Sequence, residues 1–365
     1  MNTNQRIESL CEYRLLGKTG LRVSPLCLGT MTFGDNWGWG SEKSTAKDIF
    51  DRYRAAGGNF IDTADAYTDG KSEELLGEFM KEERCRESLV LATKFTYGAT
   101  PGDPNSGGNS RKTIYRSLQA SLERLQTDYI DLYWLHTYDD LTPVEEVVYT
   151  LNDLVHQGKI RYFGLSDTPA WYATRAQTIA ELRGLERVAA LQMEYSLVSR
   201  NLEKEHRPLA SELGMGICAW SPLASGFLTG KYKRTSDGFS GEGRVKTVQG
   251  SGNPVMEKFT QDKNWKILDA LQGVAEELGR KPAEVALNWV TGRPGITSTL
   301  IGATKPEQLE ANLNALNFEI PEGLARRLEQ ASRPDVTELD HFFAPELQNW
   351  IRGGTRITRT ARSRT

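Results

Sequence analysis

The chain has 365 residues, of which 38% are hydrophobic and 25% are charged, and its formal net charge at pH 7 is −3. This balance is typical of a soluble globular protein with a large core, and it indicates neither a nucleic-acid partner nor a membrane partner. No apolar run approaches transmembrane length, and the polar N-terminus lacks a signal peptide's apolar core. Four scattered cysteines without metal or redox spacing favour reduced thiols in a cytoplasmic protein that holds no metal.

In chain order, residues 1–12 are predicted to be disordered, and residues 13–23 are predicted to form a β-hairpin around a Gly-rich turn. A strand–loop–helix pattern then repeats eight times within a single domain, residues 13–332. The strands are predicted at 26–30, 59–62, 89–94, 129–136, 160–166, 189–193, 216–221 and 298–302. Eight such units predict a (β/α)8 TIM barrel. A doubly wound sheet is the alternative, but no Gly-x-Gly-x-x-Gly follows a strand.

Two segments interrupt this pattern. Residues 224–261 are predicted to form a long Gly- and Ser-rich loop after the seventh strand, and loops of this length are usually functional or disordered. Residues 333–365 are predicted to be a C-terminal tail whose last ten or so residues, rich in arginine, are solvated and mobile.

Polar side chains stand at the ends of three successive predicted strands. Asp62 ends the second strand, Tyr67 lies on the loop that follows, and Ser72 is predicted to cap the next helix. Lys94 ends the third strand and His136 ends the fourth. In a βα barrel these strand ends meet at the face that carries active sites, so the four side chains are predicted to form a catalytic group.

This constellation resembles the aldo-keto reductase family, whose members carry Asp, Tyr, Lys and His in this order and setting. The run Asn-Phe-Ile-Asp-Thr-Ala-Asp-Ala-Tyr at 59–67 is similar to a family signature, and the resemblance extends from about residue 26 to about residue 314. It implies NAD(P)H-dependent reduction of aldehydes or ketones to alcohols. Tyr67 would then act as general acid, with a pKa lowered by Lys94. Asp62 would hold Lys94 charged, and His136 would orient the carbonyl group.

The resemblance also implies an NADPH site along the remaining strand ends. The implied contacts at the nicotinamide end are Gly29, Thr30, Met31, Asp62, Ser166, Gln192 and Trp220, and Trp220 would stack on the ring. The implied pyrophosphate contacts are Ser221, Pro222, Leu223, Ser225, Gly226, Lys231 and Arg244. The implied contacts at the adenosine end are Ile301, Gly302, Thr304, Gln308 and Asn312. The sequence departs from the family pattern at Ala311, where an acidic residue is common.

Substrate contacts are predicted on loops at the same end of the barrel, at Trp37 and Tyr138. Residues 164–171 resemble the aryl-alcohol dehydrogenase-like branch, which favours aromatic aldehydes, and residues 302–312 resemble the potassium-channel β-subunit branch. The expected partner is a small-molecule carbonyl substrate, while the oligomeric state stays open. Three alternatives also stay open: a redox-sensing regulatory subunit with slow turnover, a deoxysugar keto-reductase, and a Schiff-base aldolase that uses Lys94.

Overall fold

The computed structural model describes residues 8–98, 100–235, 238–241 and 261–355, and the chain divides into two compact units, Met1–Ser332 and Arg333–Thr365. The first unit contains the predicted hairpin, in which β1 (Arg14–Leu15) pairs antiparallel with β2 (Arg22–Val23). Residues 8–12 of the segment predicted to be disordered form a turn in which Leu10 is buried, and residues 1–7 lie outside the described residues.

Eight parallel strands close into a barrel, which confirms the predicted fold. In chain order they are β3 (Leu26–Gly29), β4 (Phe60–Asp62), β5 (Val90–Phe95), β6 (Ile130–Leu135), β7 (Ile160–Ser166), β8 (Val188–Glu194), β9 (Gly216–Trp220) and β12 (Ile296–Ile301). Between β9 and β12, β10 (Lys233–Thr235) and β11 (Gly238–Ser240) form a separate small hairpin. Each barrel strand pairs with the next, and β12 also pairs with β3. Closure leaves the barrel without an unpaired edge strand.

The helices in the described part of the first unit carry apolar residues at the spacing that one buried face requires. They are α1 (Lys43–Ala55), α2 (Lys71–Glu82), α3 (Arg111–Leu125), α4 (Val144–His156), α5 (Ala170–Arg183), α6 (His206–Leu213), α7 (Asp262–Leu278), α8 (Pro282–Thr291), α9 (Pro306–Leu313) and α10 (Glu322–Ala331). In α1, for example, Ala46, Ile49, Phe50 and Tyr53 are buried. A separate apolar cluster, which includes Phe60, Leu132 and Trp134, fills the interior of the barrel.

The first turn of α2 differs from the sequence prediction. The helix begins at Lys71 after Gly70, whose φ of 89° is left-handed, and Ser72 lies inside the first turn with its side chain buried. The Ser72 hydroxyl donates to the Thr30 carbonyl at 2.8 Å and lies 2.9 Å from the Thr63 hydroxyl. The prediction that Ser72 caps α2 is therefore wrong. Its hydroxyl instead connects the residues that follow β3 and β4.

Only part of the predicted long loop and of the predicted tail is described. Residues 224–229 form a short 3-10 turn that precedes the β10–β11 hairpin, and residues 242–260 lie outside the described residues. The second unit contains α11 (Glu338–Phe342) and α12 (Pro345–Ile351), and the predicted mobile end, residues 356–365, is likewise not described. Among the described helices, none has the length and apolarity that crossing a bilayer would need.

Candidate active site

A fully buried lysine connects the acid at the end of β4 to the phenol on the following loop. Lys94, in β5, donates from Nζ to the carboxylate of Asp62 and to the carbonyl of Thr63, the latter at 2.7 Å. The same Nζ lies 3.1 Å from the Tyr67 phenol oxygen. A buried ammonium is stable only with such partners, so the side chains of Asp62, Lys94 and Tyr67 form one hydrogen-bonded chain.

A strained turn directly follows Tyr67. The residues after Tyr67 have left-handed backbone, with φ of 48° at Thr68, 57° at Asp69 and 89° at Gly70. The Thr68 hydroxyl secures the turn, because it donates to the Phe33 carbonyl at 2.8 Å and accepts from the first turn of α2. Left-handed conformations at non-glycine residues persist only where the surroundings hold them, and they concentrate at functional sites.

His136 follows β6 and completes the predicted group of four. Its backbone N–H donates to the Phe95 carbonyl at 3.0 Å, which continues the β5–β6 pairing by one residue. Its ring meets the rings of Tyr67 and Tyr97 edge-to-face, with centroids 5.8 and 4.7 Å away. Within the described part of the chain, its buried Nδ1 has no hydrogen-bond partner. Buried polar atoms of this kind often find their partner in a ligand.

Burial and charge set the protonation states of these groups. Burial and then the charge of Lys94 hold the pKa of His136 well below its ordinary value, so the imidazole is neutral. Burial by itself lowers the pKa of Lys94. The electrostatic interactions with Asp62 and, to a smaller extent, with Tyr67 together outweigh burial, so the pKa of Lys94 lies above its ordinary value. Burial raises the pKa of Tyr67, which Lys94 opposes without reversing. Lys94 thus lowers the pKa of Tyr67 as predicted, while desolvation of the phenolate is the larger effect and leaves that pKa above its ordinary value.

The residues predicted for the nicotinamide end lie beside this group. Gly29, at the end of β3, is in register with Asp62, and the backbone N–H of Thr30 donates to the Asp62 carbonyl at 2.9 Å. Met31 follows directly. Across the barrel, Gln192 Nε2 donates to Asp62 Oδ1 at 2.9 Å, and Gln192 is in register with Ser166 of the neighbouring strand.

Trp220 ends β9 and is held by a residue that sequence reasoning missed. Its Nε1 donates to Asp167 Oδ1 at 3.0 Å. Asp167 has a left-handed φ of 45° directly after β7, next to the predicted Ser166. The signal that was available is its position in the Gly-Leu-Ser-Asp run, one residue beyond the predicted strand end.

The predicted pyrophosphate segment is a tight turn with several left-handed residues. Left-handed φ values occur at Ser221 (54°), Ala224 (49°), Ser225 (56°) and Gly226 (92°), around the predicted Pro222 and Leu223. Backbone hydrogen bonds hold the turn together: the Ala224 N–H donates to the Ser221 carbonyl at 2.8 Å, and the Gly226 N–H donates to the Leu223 carbonyl at 2.9 Å. Lys231 Nζ lies beside Gly226, 3.2 Å from where a Cβ atom would stand, and the φ of 92° also favours glycine at this position. Arg244, predicted for the same site, lies outside the described residues.

The residues predicted for the adenosine end surround the start of α9. Asn312 Nδ2 donates to the Gly302 carbonyl at 3.1 Å, directly after Ile301 at the end of β12. Gln308 Oε1 accepts from the backbone N–H of Thr304 at 2.8 Å. In the described part of the chain, no hydrogen bond connects these five residues to the four-residue group, so they form a separate cluster at the same end of the barrel.

Aromatic side chains line the loops where substrate contacts were predicted. Trp37 packs against Trp39 with ring centroids 5.5 Å apart. Tyr138 packs edge-to-face against Trp171 and Tyr172, at 5.8 and 5.4 Å. Tyr97, which contacts His136, was missed although it stands only three residues after Lys94. Trp171 and Tyr97 are each at least half exposed, which leaves aromatic surface for a bound molecule.

The protein is a (β/α)8 barrel. At the ends of adjacent strands it holds an acid, a phenol, an ammonium and an imidazole, which are groups suited to proton transfer. The chain belongs to the aldo/keto reductase family, whose family model matches residues 25–333. This confirms the resemblance drawn from the strand-end residues. Membership makes the chain an oxidoreductase of carbonyl chemistry that uses a nicotinamide cofactor and a small-molecule substrate.

Curated relatives span several branches of the family. The chain is 35% identical to norsolorinic acid reductase of Aspergillus flavus, over 89% of this chain and 82% of that protein. It is 36% identical to a probable voltage-gated potassium channel subunit beta of Oryza sativa subsp. japonica, over 84% of this chain and 91% of that protein. It is 35% identical to aryl-alcohol dehydrogenase [NADP(+)] of Phanerodontia chrysosporium, over 82% of this chain and 80% of that protein.

Proposed function

We propose that this protein reduces aldehydes or ketones to alcohols with NADPH, and that Tyr67 is the general acid. One observation carries the proposal: the buried Lys94 ammonium, held by the Asp62 carboxylate, lies 3.1 Å from the Tyr67 phenol oxygen. A positive charge at this distance stabilises the phenolate that remains after proton donation.

The protonation states suit the reductive direction. When bound, the nicotinamide supplies the hydride that the carbonyl carbon receives. The carbonyl oxygen then needs a proton, and the raised pKa of Tyr67, due mainly to burial, keeps the phenol protonated at neutral pH. Lys94 keeps that pKa from rising further. His136 is neutral and has a buried ring nitrogen without a partner among the described residues, which suits a hydrogen bond that orients a small polar group.

The described residues also fit the cofactor. The small residues Ser225 and Gly226 allow close approach of a phosphate, and the adjacent Lys231 supplies positive charge for a pyrophosphate. Gln192 donates its amide N–H to Asp62, which leaves Oε1 as an acceptor for a carboxamide N–H. Lys305 precedes Pro306 at the start of α9, where a helix N-terminus and a cation favour the extra phosphate of NADPH. The name of the P. chrysosporium relative also includes NADP(+).

We further propose aromatic aldehydes as the preferred substrate class. Tyr97 and Tyr138 lie on loops at the catalytic end and Trp171 lies in the first turn of α5, and aromatic rings stack on aromatic ligands. The aryl-alcohol dehydrogenase named above supports the same class. Four free cysteines, three of them buried, support the cytoplasmic location that the sequence predicts.

The test is NADPH oxidation over a panel of aromatic, aliphatic and sugar-derived carbonyl compounds, with wild type, Tyr67→Phe and Tyr149→Phe compared. Tyr149 is an exposed tyrosine on α4 and serves as the matched control. We expect Tyr67→Phe to lose roughly 10²–10⁴-fold in turnover while NADPH binding is retained. Full activity of Tyr67→Phe would overturn the assignment of the acid. Tight NADPH binding with negligible turnover on every compound would favour the regulatory-subunit alternative.

A further inference from the structure

We infer that Asn109 is a positioning residue for His136, holding the backbone on both sides of the imidazole. The inference rests on the proposed role of His136 in orienting the carbonyl. Asn109 lies in the loop between β5 and α3, directly before the N-cap residue Ser110, and its side chain is only 1% exposed. It is fifteen residues from Lys94 in sequence, and no strand-end pattern points to it.

Both ends of the Asn109 amide are bonded, and the two bonds go to opposite sides of His136. Asn109 Oδ1 accepts from the Thr96 hydroxyl at 2.7 Å, and Nδ2 donates to the Thr137 carbonyl at 3.0 Å. The Thr96 hydroxyl in turn accepts from the backbone N–H of His136 at 3.2 Å. One buried side chain thus connects the loop after β5 to the residue that follows His136.

The loop after β5 needs this support because its backbone is strained. Thr96 has a φ of 130°, which L-residues rarely adopt, and the strain must be held by surrounding bonds. The Thr96 carbonyl accepts from the Gly108 N–H at 2.7 Å, and its hydroxyl bonds to Asn109. A second anchor is the Asn109 backbone N–H, which donates to Asp139 Oδ2 at 2.6 Å.

Only an amide satisfies this arrangement, since one end must accept and the other must donate. Aspartate has the same shape but no donor for the Thr137 carbonyl, and it would add a charge near Asp139. Loss of the bond would free His136 to shift relative to Tyr67. Small misplacements of orienting groups lower turnover steeply, whereas cofactor affinity depends on residues at other strand ends.

The experiment compares Asn109→Asp and Asn109→Ala with Asn105→Asp and Asn105→Ala. Asn105 is an exposed asparagine in the same loop. We expect the Asn109 variants to lower kcat by roughly 10–100-fold with an unchanged Kd for NADPH, and the Asn105 variants to match wild type. Unchanged kcat in correctly folded Asn109 variants would overturn the inference.

A double-mutant cycle with His136→Ala separates positioning from general damage. If Asn109 acts through His136, Asn109→Asp causes little further loss in the His136→Ala background. An equal loss in both backgrounds would overturn the inference. If His136→Ala alone keeps full kcat, the proposed role of His136 fails instead. Should the Asn109 variants not fold, Thr96→Val breaks the bond between Thr96 and Asn109 from the Thr96 side, because it removes the hydroxyl that Asn109 Oδ1 accepts from. The same kcat loss and the same non-additivity with His136→Ala are then expected.

Discussion

The Lys94 ammonium lies 3.1 Å from the Tyr67 phenol oxygen and simultaneously binds the carboxylate of Asp62. The lysine is fully buried, and Asp62 is 1% exposed. A buried ion pair of this kind contributes little to stability as a whole, but removing one partner leaves the other charge uncompensated. Stability and catalysis therefore depend on Lys94 for different reasons, and mutation can separate them.

Lys94→Met should lower turnover by roughly 10²-fold or more, because the phenolate left after proton donation loses its neighbouring charge. It should also lower the free energy of unfolding by about 3–5 kcal/mol, because Asp62 becomes an unpaired buried carboxylate. The double variant Lys94→Met/Asp62→Asn should regain much of that stability and none of the activity. Chemical denaturation and steady-state kinetics measure the two effects, and recovery of turnover in the double variant would contradict the role of Lys94.

Cofactor preference should depend on Lys305. If its charge recognises the additional phosphate, Lys305→Ala weakens NADPH binding by about 1–3 kcal/mol and leaves NADH binding unchanged. Titration of protein fluorescence with each cofactor measures both dissociation constants. Lys159→Ala is the matched control, since this exposed lysine precedes β7 at the opposite end of the barrel. Equal wild-type dissociation constants for the two cofactors would refute the preference and leave the reductase proposal intact.

The ion pair between Glu73 and Arg124 should be structurally essential. Glu73 is fully buried on α2, and its Oε2 accepts from Arg124 Nε and Nη2, each at 2.7 Å. Arg124→Met should reduce the free energy of unfolding by about 3–5 kcal/mol, because it leaves a buried carboxylate unpaired. Arg111→Met breaks the exposed pair with Asp153 and should cost only about 0–1 kcal/mol. Urea unfolding of both variants checks this, and similar losses would show that burial of Glu73 is not decisive.

Asp65 should make stability decrease as pH rises. Burial, followed by the charge of Glu73, raises the pKa of Asp65 from 3.8 to about 7, although Arg124 opposes the rise. The unfolded chain therefore loses this proton first, and the stabilising contribution present below about pH 4 is lost as pH rises to about 7. Asp65→Asn should flatten that decrease and raise stability at pH 8 by about 1–4 kcal/mol. Asp69→Asn, at an exposed position on the same turn, should follow wild type. A wild-type pH slope in Asp65→Asn would contradict the assignment.

Local sequence pattern was sufficient for the barrel and for the positions of the four candidate catalytic residues. Strand burial follows from short apolar runs, and polar residues stand at or near the ends of several runs, as at Asp62 and Lys94. Since parallel strands in a closed barrel end at one face, an ordered series of strand ends predicts which side chains meet. This inference requires only the order of the strands along the chain, because consecutive strands are adjacent in the barrel.

The tertiary structure alone decided which distant groups bond and what their protonation states are. Gln192 and Asp62 are 130 residues apart, and their bond exists only because the barrel closes. The same holds for Trp220 with Asp167, and for Ser72, whose hydroxyl is committed to neighbouring loops and not to a helix cap. The pKa of Tyr67 depends on how much water reaches the phenol, a quantity that sequence spacing does not contain. Composition and periodicity encode burial along the chain, whereas hydrogen-bond partners and desolvation depend on the packing of segments that are remote in sequence.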